Sequence, residues 1–448
     1  MTEEITEPTT GADGHAVVLG ASMGGLLAAR VLADFFDRVT VIERDQLPAD
    51  ASPRRGVPQG RHLHGLLPRG RQALDGLFPG LVDELVSEGA PRAEFLSEVR
   101  LVFSGHQLAR DNAGISSIQA SRPLLESRLR ARVAGLVNVK IVDGCAAVGL
   151  AIGGAGVSGV RIQGPAGVAD TVPAELVVDA TGRAGRTRTW LAESGFEAPA
   201  EERIECDLRY VSRFLRMPQD ALPADRLVIV GPVPGHPRMM GFGIQEGDRW
   251  LLTLGGMAGD HPVPEEEAFL SFAETVAPPE VFAAIRDAEP LTGLTTHRTP
   301  ASVRHHYERL RRFPAGLLVF GDAICSFNPV YGQGMTVAAV EAEALHRCLL
   351  GGRRDLPWRF FRAAAKVIDP AWQLAAGGDL ALPEIPGRRS MVTRMLNRYI
   401  ARLHRAAEHD SQVATAFVRV AALLDPPSAI ATPRIMARVL AGGHRRAA

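Results

Sequence analysis

Residues 15–25 read HAVVLGASMGG, and residues 39–43, which follow a helical pattern, read VTVIE. The apolar run 15–20 is typical of a buried strand, and the apolar side chains between residues 26 and 35 recur at helical spacing. The second apolar run ends on Glu43. Strand, helix and strand in this order predict a βαβ unit, in which the two strands are parallel.

The turn between the first strand and the helix carries the pattern Gly20-x-Ser22-x-x-Gly25. In a dinucleotide-binding loop the first glycine permits the tight turn, a small residue lets the backbone approach the pyrophosphate, and the last glycine lets helix and strand pack closely. Ser22 replaces the usual second glycine but is also small. We therefore expect the amides of residues 23–25 to bind a pyrophosphate and Glu43 to accept hydrogen bonds from an adenosine ribose.

The letters of a second glycine fingerprint occur at Gly154-x-Gly156-x-x-Gly159. The strand-like segment 160–163 follows it, whereas a dinucleotide-binding loop leads into a helix. We interpret this segment as a glycine-rich hairpin turn. The sequence therefore predicts one dinucleotide site rather than two.

The composition excludes several classes of partner. The 448 residues hold 50 Lys and Arg against 50 Asp and Glu, so the formal charge is zero and gives no footprint for nucleic acid or an anionic membrane. No apolar run is long enough to span a membrane, and the acidic segment 1–13 is predicted to be a disordered tail rather than a signal peptide. The four widely spaced cysteines predict no metal site, no disulfide scaffold and a cytoplasmic location.

A third signal follows the apolar segment 317–320. Gly321-Asp322 comes directly after it, and the glycine-rich segment 328–335 (NPVYGQGM) precedes a long helical pattern. An ionised carboxylate only accepts hydrogen bonds, so Asp322 suits a polyol such as a ribityl chain. The helix N-terminus would favour the negative charge that a flavin gains at its N1–C2=O edge on reduction.

Four segments in chain order resemble the FAD-dependent monooxygenases of the aromatic-hydroxylase (glutathione-reductase-like) superfamily. They are GASMGG with Glu43, Arg122 within SRPLLESRL, VVDATGR at 177–183 and GDAICSFNPVYGQGM at 321–335. The segment 55–64 (RGVPQGRHLH) is similar in texture to the polyene epoxidases of polyether-antibiotic biosynthesis, of the lasalocid and monensin type. The resemblance covers most of the first 350 residues.

The resemblance implies an α/β fold with a Rossmann-like FAD-binding domain, a mixed antiparallel-sheet substrate domain and a helical C-terminal region. Strand-like segments separated by Pro, Gly and Asp turns support the sheet; they are 208–216, 227–233, 238–246 and 249–257. The predicted boundaries are 14–90, 120–200 and 301–350 for the FAD domain, 91–119 and 201–300 for the substrate domain, and 351–448 for the helical region.

The resemblance also implies which residues bind FAD. They are Gly20, Ser22, Met23, Gly24, Gly25, Glu43, Arg44, Arg122, Thr181, Gly182, Asp322, Pro329, Gly332, Gly334 and Met335. The first seven would bind the ADP half, Asp322 the ribityl chain, and the last four the isoalloxazine ring. The VVDATGR motif lacks the Asp-Gly common in the family, so the electron donor stays open between NAD(P)H and a separate flavin reductase.

The substrate pocket is less clearly marked. Apolar side chains on the predicted sheet and beside the flavin loop are candidates; they are Tyr210, Phe214, Met239, Met240, Phe242, Phe327 and Tyr331. His62 and His64 are interpreted as cofactor or pocket contacts, or as structural residues, because no third metal ligand is apparent. No catalytic acid or base stands out, so the catalytic residues stay unknown.

The resemblance implies a monooxygenase that transfers one oxygen atom from O2 to a lipophilic natural product through a flavin C4a-(hydro)peroxide, because the cofactor supplies the difficult step. Epoxidation of an alkene and hydroxylation of a ring both fit. The alternatives are an FAD-dependent reductase or dehydrogenase of a prenyl- or polyketide-like substrate, and a flavin-binding protein without turnover. Halogenation is disfavoured, because the tryptophans are isolated and neither Lys140 nor Lys366 lies near the flavin motifs.

Overall fold

The computed structural model describes residues 14–153, 156–164 and 167–442, and the predicted tail 1–13 lies outside them. The strands are β1 (His15–Leu19), β2 (Arg38–Ile42), β3 (Arg92–Glu94), β4 (Val99–Phe103), β5 (His106–Gln107), β6 (Ser116–Ile118), β7 (Val139–Val142), β8 (Ala146–Gly153), β9 (Gly156–Gln163), β10 (Ala169–Pro173), β11 (Leu176–Asp179), β12 (Glu201–Ile204), β13 (Leu208–Arg216), β14 (Leu227–Val230), β15 (Arg238–Gln245), β16 (Arg249–Gly256), β17 (Glu289–Pro290), β18 (Thr295–Thr299), β19 (Ser302–His305), β20 (Leu317–Val319) and β21 (Cys325–Ser326).

The α-helices are α1 (Met23–Leu32), α2 (Pro68–Leu77), α3 (Leu81–Ser87), α4 (Arg122–Ala134), α5 (Thr187–Glu193), α6 (Glu266–Val276), α7 (Pro279–Arg286), α8 (Gly334–Leu350), α9 (Leu356–Asp379), α10 (Met391–Ala407), α11 (Ser411–Ala421) and α12 (Pro433–Gly442). Short 3-10 turns cover Gly182–Ala184, Gly321–Ala323 and Pro329–Tyr331.

A five-stranded parallel sheet holds the predicted βαβ unit. Its strand order is β20-β11-β1-β2-β7. Its central strands are apolar because helices cover both faces of such a sheet, and Val17, Val18 and Val177 are fully buried. The strand predicted near residue 317 pairs in parallel with β11, so the third motif returns to the same sheet edge as the first.

The second glycine fingerprint lies in a β-hairpin, as predicted. Strands β8 and β9 pair antiparallel, and β10 joins them in a three-stranded sheet. Gly154 lies outside the described residues, whereas Gly156 and Gly159 lie on β9 itself. No helix follows Gly159, so the context that pyrophosphate binding requires is missing.

The predicted antiparallel segments form an eight-stranded sheet together with β4, β5, β17 and β18. The pairing of β14 with β4 is parallel, and the other pairs in this sheet are antiparallel. One face packs against α6 and α7 through a cluster that includes Met240, Phe242 and Phe269. The other face carries Tyr210 and Met239, which belong to the main core around the parallel sheet.

The C-terminal region is helical, as predicted. Helix α9 packs along α8, while α10, α11 and α12 form a separate cluster with β4. Within the described ranges, no helix is both long enough and apolar enough to cross a bilayer. The α/β fold with a parallel sheet, a mixed antiparallel sheet and a helical end is the predicted fold class.

Candidate active site

The turn between β1 and α1 depends on two glycines. Gly20 has a φ of 96°, which L side chains rarely adopt. A Cβ at Gly25 would lie 1.8 Å from the Gly20 carbonyl oxygen, whereas a Cβ at Gly24 would meet only ordinary contacts, the nearest at 3.5 Å from Phe320. Gly20 and Gly25 are therefore required by backbone geometry alone.

The N-terminus of α1 has no side-chain cap. Ser22 precedes the helix, but its hydroxyl donates to Glu126 Oε2 at 2.8 Å and accepts from Arg122 Nη2 at 2.9 Å. The first amides of a helix have no partner within it, so those of residues 23–25 stay available to an anion. This arrangement fits the pyrophosphate of a dinucleotide.

Glu43 lies where the sequence predicts, at the end of β2, and its buried carboxylate is bonded to protein groups. Its Oε2 accepts from the Ala21 amide at 2.8 Å and its Oε1 from the Asp45 amide at 3.0 Å. Arg54 Nη1 lies 3.2 Å from Glu43 Oε2. A ribose that bonds to Glu43 must therefore share this carboxylate with Arg54. Arg44, which the sequence also predicts to bind the ADP half, is exposed.

Arg54 joins three carboxylates in a buried network that the sequence did not reveal. Its Nε lies 2.7 Å from Glu126 Oε1, and its Nη1 lies 3.0 Å from Asp45 Oδ2. Burial raises the pKa of Glu126, but the neighbouring Arg122 and Arg54 outweigh it, so this pKa lies below the usual value. Glu126 therefore stays charged and fixes both arginines beside Ser22.

Three motifs that are distant in sequence converge on Asp322. A Cβ at Gly182 would lie 3.6 Å from the Asp322 Cβ, and a Cβ at Gly334 would lie 3.6 Å from Asp322 Oδ1. A Cβ at Gly321 would lie 3.9 Å from the Gly24 Cα. These distances bring the predicted ribityl residue against the dinucleotide turn and against the N-terminus of α8.

Asp322 lines a cavity of about 530 Å³ together with Gly182 and Arg183. Burial raises the pKa of Asp322, whereas Arg183 and Arg122 lower it. Under the motif, fully buried Glu341 accepts a hydrogen bond from the Gly321 amide at 2.9 Å. Burial raises the pKa of Glu341 to about 8. Glu341 was missed because nothing in a helical sequence shows what its side chain faces.

Thr181 and Gly182 lie on the loop after β11. Asp179 Oδ1 accepts from the Thr181 amide at 2.9 Å, and the Thr181 and Thr187 hydroxyls also donate to this carboxylate. Arg183 extends from the loop to Thr299 Oγ1 at 3.2 Å and to the Phe327 carbonyl at 2.8 Å. The loop thus connects the end of β11 to β18 and to the segment just before Asn328.

The segment before α8 is a tight turn held from within. Asn328 Oδ1 accepts from the Val330 amide at 3.1 Å, the turn Pro329–Tyr331 follows, and Gly332 has a φ of 64°. Helix α8 begins at Gly334 without a side-chain cap. Met335 is buried in its first turn. The sequence predicts that the N-terminus of α8 faces the N1–C2=O edge of a flavin, where negative charge develops on reduction, and this stays a prediction.

Asp379, at the end of α9, anchors this turn from the far end of the chain. Its Oδ1 accepts from Asn328 Nδ2 at 2.8 Å and from the Tyr331 hydroxyl at 3.0 Å. Burial raises the pKa of Asp379 to about 7, although hydrogen bonds from Tyr331, Asn328 and Ser302 oppose the rise. A Cβ at Gly378 would lie 2.3 Å from the Tyr331 hydroxyl. Two adjacent glycines inside a helical segment, Gly377 and Gly378, are the sequence feature that indicates this close contact.

His62 lies against the sheet that faces the site. Its Nδ1 lies 2.7 Å from Ser212 Oγ, and Ser212 Oγ lies 2.7 Å from Thr253 Oγ1. The His62 ring lies beside Tyr210 and His297, at centroid distances of 5.8 and 5.5 Å. The sequence left His62 open between a cofactor or pocket contact and a structural residue. Its partners were not predictable because they lie on three separate strands.

The histidines of this region are neutral at pH 7. Burial, with smaller effects of His297 and His64, lowers the pKa of His62 to about 3. Burial and Arg122 lower the pKa of His64 to about 4. Burial also raises the pKa of Tyr210 above its usual value. The histidines on this side of the site are therefore uncharged, and burial together with the nearby Arg183 lowers the pKa of His297. The network beside α1 is instead built from arginines and carboxylates.

The structure corrects two candidate substrate residues. Met240 and Phe242 are fully buried on the far face of the sheet, where Phe242 contacts Trp250 at a centroid distance of 4.8 Å. Strand residues alternate between faces, so Met239 and not Met240 points toward the main core. The Cζ atom of Arg249 lies over the Phe214 ring, 4.7 Å from the ring centroid.

The remaining candidates lie near the glycine-rich segment 328–335. Tyr210 is buried in the main core, Tyr331 is bonded to Asp379, and Phe327 packs on Trp372 at 6.4 Å. In the part of the chain that the structure describes, no cluster of three or more His, Cys, Asp or Glu side chains could hold a metal ion. That Tyr210, Phe327 and Tyr331 line a substrate cavity stays a prediction.

Known proteins resemble this chain both in sequence and in fold. No family model matches it. The chain is 36% identical to protein Rv3254 of Mycobacterium tuberculosis, over 96% of this chain and 94% of that protein. It is 29% identical to kynurenine 3-monooxygenase of Salinispora tropica, over 75% of this chain and 72% of the enzyme.

Solved structures share the whole architecture at low identity. The flavin-dependent brominase Bmp2 aligns with a TM-score of 0.67 and 16% identity, over 91% of this chain and 93% of the brominase. A flavoprotein/dehydrogenase from Cytophaga hutchinsonii aligns with a TM-score of 0.69 and 14% identity, over 96% of this chain and 98% of that protein. PqsL of Pseudomonas aeruginosa, a probable FAD-dependent monooxygenase, aligns with a TM-score of 0.60 and 18% identity, over 90% of this chain and 99% of PqsL. These matches confirm the predicted fold.

Proposed function

The chain belongs to the same family as protein Rv3254 of Mycobacterium tuberculosis, and we propose that it is an FAD-dependent monooxygenase. In this proposal it transfers one oxygen atom from O2 to a lipophilic small molecule, by epoxidising an alkene or hydroxylating a ring. The observation that carries the proposal is the convergence of Gly24, Gly182 and Gly334 on Gly321-Asp322.

The residues around α1 fit the ADP half of FAD. The uncapped amides of residues 23–25 would bind the pyrophosphate, and Arg122 would approach it from α4. Glu43 would accept from the adenosine ribose. Asp322, open to the cavity, would accept from the ribityl chain.

Buried neutral side chains lie in the other half of the site. Reduced FAD supplies the activation of O2, so the protein has to orient the substrate and exclude water. His62, His64 and Tyr210 stay neutral, and Ser212 and Thr253 are bonded to one another or to His62. A neutral surface of this kind favours an apolar carbon skeleton over a charged one.

The electron donor is part of the proposal. The sequence predicts one dinucleotide turn, and we assign that turn to FAD. The electrons would therefore come either from NAD(P)H that binds transiently or from a separate flavin reductase. Reduction by NADPH alone, followed by stopped-flow absorbance, distinguishes the two sources of electrons.

The decisive experiment uses isotopically labelled oxygen. Purified protein with bound FAD is reduced, mixed with ¹⁸O2 and a terpenoid or polyketide alkene, and the product is analysed by mass spectrometry. One labelled oxygen atom in each product molecule is expected. Saturation of the alkene without O2 would instead establish a reductase, and no product with any reductant would establish a flavin-binding protein without turnover.

The assignment of Asp322 has a simpler test. Asp322→Ala should purify with at least tenfold less FAD, while Asp220→Ala, a change at an exposed loop position, should retain it. Full FAD content in the Asp322 variant would overturn this assignment without touching the oxygen chemistry.

A further inference from the structure

The first two turns of α10 expose apolar side chains that nothing in the described chain covers. Met391, Val392, Met395 and Leu396 are between 45% and 74% exposed. With 3.6 residues per turn, these four positions fall on the same side of the helix as Leu403 and Ala407, which are fully buried farther along it. One apolar stripe therefore runs the length of α10, and only its second half is covered.

Arginines line one edge of this stripe. Residues 388–405 hold six arginines, and no acidic residue occurs between 388 and 407. Among the described residues, the side chains of Arg394, Arg398, Arg402 and Arg405 make no ion pair or hydrogen bond. On α12, by contrast, Arg438 pairs with Asp410 at 2.8 Å. The formal charge of zero thus hides a strongly basic surface.

We propose that this surface, residues 391–402 of α10, binds the headgroup region of an anionic lipid bilayer. A helix with an apolar stripe and an arginine-rich edge lies in the plane of a bilayer, with its apolar side chains among the acyl chains and its cations at the phosphates. The helix is well formed before binding, because Ser390 caps it through the Thr393 amide at 3.0 Å. No disordered segment has to fold on the membrane.

A second copy of this chain is a poorer occupant. In a two-fold interface the same patch meets itself, so α10 against α10 would bring the unpaired arginines of both copies together. No carboxylate on the helix could neutralise them, because the acidic residues nearest in the sequence are Glu384 before the helix and Glu408 after it. Lipid phosphates provide the missing negative charge.

Helix α10 also packs toward the candidate active site, but through its other face. A Cβ at Gly377 of α9 would lie 3.8 Å from Asn397 Oδ1 of α10, and the next residue, Gly378, contacts Tyr331. With 3.6 residues per turn, Asn397 falls on the side of the helix opposite the apolar stripe. The proposed membrane surface therefore points away from α9, and membrane binding does not rest on the proposed function.

The experiment measures binding to vesicles without turnover. The purified full-length protein is sedimented with sucrose-loaded vesicles of phosphatidylcholine, alone or mixed with an equal part of phosphatidylglycerol. We expect sedimentation with the mixed vesicles, little with pure phosphatidylcholine, and release at 0.5 M salt. Equal sedimentation with both vesicles, or none with either, would overturn the proposal.

Variants locate the surface. Arg394→Gln together with Arg398→Gln should weaken binding to mixed vesicles by more than tenfold, because each arginine contributes about fivefold at an anionic surface. Met391→Ser together with Met395→Ser should weaken it similarly. The matched control, Val137→Ser with Leu350→Ser, removes apolar side chains that are exposed elsewhere and should bind as wild type does. A dimer in solution that the α10 changes dissociate, without vesicle binding, would show that a second copy covers the surface.

Discussion

The two halves of the candidate cofactor site are built in different ways. Beside α1, charged groups meet in a dense network in which Arg54 contacts Glu43, Asp45 and Glu126. Beside β13, the histidines are neutral, because burial holds them unprotonated. We call these regions the charged half and the neutral half; in the proposed function the first binds the anionic cofactor and the second faces the apolar substrate. Changes in the first half should therefore affect folding and cofactor content, and changes in the second should affect turnover.

The largest effect is expected where the charged half meets the backbone. Gly25→Ala places a Cβ 1.8 Å from the Gly20 carbonyl oxygen, so β1 and α1 cannot keep their contact. We expect no FAD-loaded, folded protein. Gly24→Ala is the matched control one residue away, since its Cβ meets only ordinary contacts. Normal FAD content in the Gly25 variant, measured by absorbance after purification, would contradict the assigned turn.

The next effect concerns the network itself. Glu126→Ala leaves Arg54 and Arg122 buried without their shared carboxylate, and breaking a buried ion pair costs about 3–5 kcal/mol. Urea unfolding should show this loss. Glu289→Ala removes a carboxylate from an exposed pair with Arg216 and should cost about 1 kcal/mol or less. Similar losses in the two variants would remove the distinction between buried and surface charge.

A pH-dependent effect should mark the neutral half. The folded-state pKa of Asp379 is about 7, above its unfolded value, so the folded protein binds the proton more tightly. This contribution to stability is present at low pH and is lost as pH rises toward 7, at about 1.4 kcal/mol per pH unit. Asp379→Asn has no such proton.

The stability of Asp379→Asn relative to wild type should therefore increase between pH 5 and pH 7. Unfolding by urea at pH 5, 6, 7 and 8 gives the slope for each protein. A difference in stability that does not change with pH would mean that Asp379 is ionised in the folded state throughout this range.

The smallest effect on FAD content is expected at His62. His62→Asn can still reach Ser212 but removes the ring between Tyr210 and His297. FAD content should stay within twofold of wild type, while the fraction of reduced flavin that yields product falls several-fold. His409→Asn, at an exposed position, serves as the control. Loss of FAD with His62→Asn would show that the two halves are not separable.

Much of the charged half was predictable because its geometry is local. The steric demands of Gly20 and Gly25 and the position of Glu43 at a strand end follow from a few neighbouring residues. Arg54 was not predictable, because an arginine in a loop gives no sign of the carboxylates it will meet. The neutral half was harder still: His62, Ser212 and Asp379 come from segments more than 100 residues apart.

The sequence by itself determined the βαβ unit, the single dinucleotide turn and the alternating strands of the second sheet, because backbone sterics and side-chain periodicity act over short distances. Only the tertiary structure decided which sheet face meets the site, which placed Met240 and Phe242 in the far core. It also decided for which carboxyl groups burial raises the pKa, and which turns of α10 stay uncovered. These properties depend on what packs against a residue, and the local sequence does not contain that information.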